Sequence, residues 1–272
     1  MSTTYPSVTA SSLAATALRW AGVAWFLVAA FGQAAFIWFI LAFYGVRTAR
    51  GDFAAWNDKP LIDGYVAGDD AGNFVFAAHA LLASAVTLMG LMQLVPGLRR
   101  TRPVLHRWTG RSFLAIASFM ALSGIWLAVV RGTYLSVVSA VAILVNGLLI
   151  LLFAGLAWRS AVQRRFERHR IWAMRTFMVV SGVWFLRVGL MGWVLVNQGP
   201  VGMTDDMSGP ADVVLVFGSY LIPLTLLELY FAASRRENIG LKAFAAAVVF
   251  LAAAYTAAGV FGTVAFMWGP YL

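Results

Sequence analysis

Seven apolar runs divide this chain, each long enough to cross a bilayer as a helix, with little sequence left between them. Spanning a hydrocarbon core of ~30 Å takes about 20 residues of helix. The runs lie at about Trp20–Val46, Asn73–Val95, Pro103–Val130, Ser136–Trp158, Ile171–Val196, Ala211–Ala233 and Lys242–Trp268. They predict an all-α, polytopic membrane bundle with about seven transmembrane helices. The first run is too long for the 7–15-residue core of a signal peptide and is expected to stay in the membrane. Pro96-Gly97 ends the second run, and Pro103 suits the first turn of the third. Pro223 predicts a kink in the sixth. Residues 1–18 read as a mobile Ser/Thr-rich tail, and 19–272 as one transmembrane domain. Composition agrees: 61% of residues are hydrophobic and 11% charged, against about 45–50% and about 25% in soluble domains.

Charge placement sets the expected topology. Net charge is +9, yet the basic residues sit in short loops between apolar runs rather than on one soluble face. That excludes a nucleic-acid reader and marks cytoplasmic loops beside anionic lipid. With the N-terminus inside, fifteen of the twenty Lys and Arg residues fall on the inner side. Arg47, Arg50, Lys59 and Arg131 fall outside, and Arg187 lies within a helix. The expected location is the cytoplasmic (inner) membrane. With no cysteine, disulfides, iron–sulfur clusters, thiolate zinc sites and covalent c-type haem are excluded. No nucleotide-binding loop, HExxH or G-x-S-x-G pattern is present.

Two inner loops are alike. RRTRPVLHRWTGRSF (99–113) and RRFERHRIWAMRTF (164–177) each carry an arginine pair, then His-Arg, an aromatic residue, and Arg-[Ser/Thr]-Phe. Either basic juxtamembrane loops coincide in composition, or hairpins 2–3 and 4–5 are duplicated about an axis along the membrane normal. Together with His79, Gln93, Gly110, Leu186-Arg187 and Glu228, these loops resemble the predicted bacterial membrane proteins catalogued as domain of unknown function 2306. The resemblance covers roughly 74–232, outside the first and last helices. It implies the membrane fold and carries no chemistry with it.

Ionisable groups inside a bilayer cost at least a few kcal/mol, so each is a candidate for function. His79 is expected about six residues into its helix, roughly 9 Å deep. Arg187 is expected at a comparable roughly 13 Å, so the two could share an outer cavity with Asn146 deeper. Glu228, near the inner end of its helix, is expected to pair with Arg175 or Arg111. His106 and His169 start their helices within basic clusters and suggest axial ligands of a b-type haem. Arg107, Arg111, Arg170 or Arg175 would then neutralise its propionates. A quinone headgroup could use the same donors. Trp20, Trp56, Trp158, Trp268 and Tyr271 read as interface anchors. Three functions stay open: a redox protein holding haem or quinone, a transporter or lipid- or anion-binding protein, and an accessory subunit of a membrane complex or homo-oligomer.

Overall fold

The computed structural model describes residues 10–59 and 62–272. Its first helix, α1 (Ala10–Ile40), runs through a π-helical turn (Leu41–Gly45) into the short α2 (Val46–Ala49). A 3-10 turn (Ala54–Asp58) leads to α3 (Asp70–Leu94), the short α4 (Pro96–Thr101), α5 (Pro103–Val129) and α6 (Val137–Val162). Next come α7 (Phe166–Val180), α8 (Gly182–Asn197), α9 (Pro210–Arg235) and α10 (Ile239–Gly262), the last followed by a second π-helical turn (Thr263–Trp268). No strand occurs among the described residues. Six helices are long and apolar enough to cross a membrane, and the bent pair α7–α8 makes up to seven. The expected mobile tail is not seen from Ala10 onward, because Ala10–Leu18 already belong to α1; residues 1–9 lie outside the described residues.

Polar side chains begin the helices. Asp69 accepts from the Gly72 amide at 2.9 Å, and Asn238 accepts from Leu241 at 2.8 Å. Ser136 and Ser139 cap each other's backbone at 3.0 and 3.2 Å. Such caps contribute about 1 kcal/mol each.

The helices close into a ring. α1 packs on α3, α3 on α5, α5 on α6 and α6 on α7; α9 touches both α7 and α8, and α8 leans on α10, which returns to α1 in the most extensive pairing of all. The arginine-rich loops lie at one end of this ring, the basic end. Asp52, Asp58, Asp69, Asp205 and Asp206 lie at the other, the acidic end.

The expected single fifth helix is instead two, bent by 51° between Val180 and Gly182. The pair Ser181-Gly182 explains the break without a proline. Ser181 takes φ −74°, ψ 0°, off the usual helical ψ, while its carbonyl still accepts from the Trp184 and Phe185 amides at 3.0 and 2.9 Å. Below the break α7 packs on α6; above it α8 packs on α10. Pro223, by contrast, lies inside α9, which stays one helix.

This change of neighbour leaves the basic half less filled. A cavity of about 410 Å³ opens there between α1, α7, α9 and α10, lined by Trp25, Met178, Pro223, Leu227 and Val249, with Arg19 at its edge.

The acidic end is tied down. Arg131 donates to Asp69 and Asn73, each at 2.8 Å, and to the Gly64 carbonyl at 3.2 and 3.3 Å. Trp56 is buried against Phe53 and Phe76, and Trp268 stacks on Phe36 and Phe39. Both were expected as interface anchors and are core residues instead; Trp20 and Trp158 remain exposed.

Candidate functional site

In the acidic half, Arg187 projects from α8 beneath both π-helical turns. It lies ten residues from the end of α8, roughly 15 Å. His79 lies nine residues into α3, roughly 14 Å, so the two share a level more closely than the sequence indicated. The Arg187 guanidinium donates to its own helix at the Val183 carbonyl, 2.9 Å, and lies 5.7 Å from the Phe36 ring centre. Thr263, in the second π turn, donates to the Arg187 carbonyl at 3.2 Å. Among the described residues no carboxylate reaches the Arg187 side chain. Instead Tyr44, Lys59 and His79 lie within its electrostatic reach.

His79 does not bond Arg187. Its Nδ1 is 2.8 Å from Ser123 Oγ, whose hydroxyl donates to the Met120 carbonyl at 3.2 Å. The consistent assignment makes Nδ1–H the donor and leaves Nε2 free. Gly124 admits the ring closely: a Cβ there would stand 3.3 Å from His79 Cε1. Lys59, expected on the outer side, is partly buried. Burial lowers its ammonium pKa to about 8, and the Arg187 charge acts in the same direction.

Asn146 reaches the helix break rather than Arg187. Its Nδ2 is 3.0 Å from the position a Gly182 Cβ would take.

At the basic end the expected pair forms between Arg175 and Glu228. Two parallel bonds of 2.6 and 2.9 Å join them, and the Arg175 guanidinium lies 4.4 Å from the Trp172 ring centre. Arg111 instead lies over Trp108.

His106 and His169 occupy equivalent places, each the fourth residue of its helix. Their amides bond the carbonyls of Arg102 and Arg165 at 3.0 and 2.9 Å, and the two side chains are within electrostatic range of one another. His169 Nδ1–H donates to the Ala157 carbonyl at 2.9 Å, which leaves its Nε2 unengaged. His106 Nδ1 is buried without a partner. Arg107, Arg111 and Arg170 are exposed around them. No group of three or more His, Asp or Glu side chains suited to a metal ion occurs among the described residues, so the pair has no third protein ligand at hand.

Sequence reasoning missed the π-helical turns, the inward Lys59 and the polar break. Ser181-Gly182 was the one signal available for the last of these. No curated protein and no solved structure matches the chain. The model of a family described as predicted membrane protein (DUF2306) matches residues 76–231, from α3 into α9. The chain belongs to this family of predicted membrane proteins, and α1 and α10, which close the ring, lie outside the matched core.

Proposed function

We propose that this protein is a carrier for a small anionic solute, bound in the acidic half of the bundle at Arg187. The observation that carries the reading is a guanidinium at membrane depth with no carboxylate partner. Placing such a charge there costs at least about 2.5–3.5 kcal/mol, and a guanidinium is permanently ionised and shaped for oxyanions. Arg175, which has its Glu228, shows what a balanced arginine looks like in the same bundle. Lys59 adds cationic character to the Arg187 site, and His79 Nε2 adds a hydrogen-bonding position. The charge bias supports an orientation with the acidic end outside and the basic loops inside a cytoplasmic membrane. At the basic end a notch of about 220 Å³ between Arg159, Arg165, Arg168 and Trp172 suits the phosphate of an anionic lipid.

Thermal unfolding of the purified protein in acetate, succinate, phosphate, sulfate and chloride at equal ionic strength tests the carrier. At least one oxyanion should raise Tm above chloride, by the equivalent of about 2.7 kcal/mol at a hundred times its Kd. Arg187→Gln should abolish the increment, while Arg47→Gln, whose arginine already pairs with Asp58 at 3.4 Å, should keep it. A wild type indifferent to all five anions, with Arg187→Leu more stable than wild type, would sink the proposal.

A second reading rests on the His106–His169 pair. His169, anchored through Nδ1 to the Ala157 carbonyl with Nε2 unengaged, has the form of an axial ligand, and His106 holds the equivalent helix position without such an anchor. A Soret band in protein expressed with added haemin, lost in His106→Ala and in His169→Ala but kept in His79→Ala, is the result expected if the pair holds haem. A colourless protein removes this reading.

A further inference from the structure

Four of the side chains packed around the break between α7 and α8 carry a buried polar atom without a hydrogen-bond partner: Gln33 Oε1, Asn146 Oδ1, Trp184 Nε1 and Tyr220 Oη. Gln33, Trp184 and Tyr220 are each only 1% exposed. They come from α1, α8 and α9, and with Asn146 of α6 they surround one short stretch of backbone. Gln33 Nε2 donates to Ser181 Oγ at 3.1 Å. A Cβ on Gly182 would stand 3.0 Å from Asn146 Nδ2 and 3.4 Å from Tyr220 Cβ. The Trp184 amide bonds the Ser181 carbonyl at 3.0 Å, and its ring edge would meet a Cβ on Gly32, the neighbour of Gln33, at 2.7 Å.

Leaving one buried polar group unsatisfied costs about 1–3 kcal/mol. Four of them on side chains around one bend is a cost that water can relieve, and membrane proteins hold irregular backbone only where it is buried in protein or lines a water-filled cavity. The set contains donors (the Trp184 N–H and the Tyr220 O–H) and acceptors (two amide oxygens), which water or a polar solute can satisfy together. A cation is disfavoured, because Arg187 lies six residues further along the chain, roughly 9 Å, and no carboxylate accompanies these atoms. Toward the basic end the polarity stops. Pro223, one turn from Tyr220, and Trp25, stacked at 6.1 Å on Phe185, already line the apolar cavity.

We propose that the break is the polar floor of a water-filled vestibule open at the acidic end. The solute held at Arg187 reaches this floor with an uncharged hydrogen-bonding group. Its class is therefore an organic anion bearing hydroxyl, amide or carbonyl functions rather than a bare inorganic ion. The solute part rests on the Arg187 carrier reading; the vestibule itself does not.

The cysteine-free chain is a silent background for thiol labelling of the full-length protein in membranes. Ser181→Cys, and separately Asn146→Cys in case the first variant fails to fold, should react with small water-soluble methanethiosulfonates added from the acidic side. The sulfonate-bearing reagent should react about tenfold or more faster than the trimethylammonium one, as a focused positive field requires. Arg187→Gln should erase that preference and leave the reactivity. Val249→Cys, in the apolar cavity, should stay slow with both. If folded Ser181→Cys and Asn146→Cys are both inert, the vestibule is overturned even where anions still stabilise the protein through Arg187. Labelling without charge preference keeps the vestibule and overturns the anionic solute.

Discussion

Lys59 ends the 3-10 turn over the acidic half, and its pKa near 8 has two consequences of opposite sign. The unfolded ammonium titrates near 10.5, so between the two values the unfolded chain binds the extra proton and the folded chain gains stability as pH rises. Below about 8 the penalty for burying the charge is fully present. A bound anion reverses this, since it favours protonated Lys59. Anion affinity should therefore be full below about pH 8 and decline above it, with proton uptake on binding. Lys59→Met should flatten that decline in calorimetric titrations. The other charged or titratable groups around it are Arg187, His79, Tyr44 and the Arg47–Asp58 pair. An unchanged slope in Lys59→Met would remove Lys59 from the site. The common level of His79 and Arg187 was legible, because residue counting along two helices fixes depth. The inward turn of Lys59 and Trp56 was not: a loop's path depends on tertiary partners such as Arg131 and Phe76, which no local pattern announces.

Among the elements, the α7–α8 break decides what the two halves of the bundle contain. Length and apolarity made each span visible, and the double His-Arg pattern correctly placed two equivalent helix starts. The break is weakly announced because proline outranks Ser-Gly as a local signal: the pattern points to Pro223, yet α9 continues through it. Above the break α8 lies close against α10. A Cβ on Gly259 would collide with the Val188 carbonyl and press its side chain. Gly259→Val should thus separate α8 from α10 at a cost of about 1–3 kcal/mol, read as a lowered Tm. Gly155→Ala, with open space around it, should leave Tm unchanged. Equal stability of the two variants would show that the α8–α10 contact yields easily.

For the whole molecule, orientation is the first matter to test. Ser208 and Gln163 are both exposed, at opposite ends of the bundle. Ser208→Cys should label with an impermeant thiol reagent on intact cells, and Gln163→Cys only after lysis; the reverse pattern would invert the protein in the membrane. Ring closure, unlike the number of spans, could not be read from the chain, because the pairing of α1 with α10 joins segments with no shared motif. That pairing also sets a timetable. Roughly 200 residues separate the end of α1 from the start of α10, which a ribosome takes about 10–40 s to add at 5–20 residues per second. The first helix inserted therefore waits longest for its main neighbour, and its Gln33 spends that interval beside lipid or an insertion chaperone. A chain stopped at Glu237 should be degraded rapidly in pulse-chase, and separate synthesis of residues 238–272 in the same cell should prolong its lifetime.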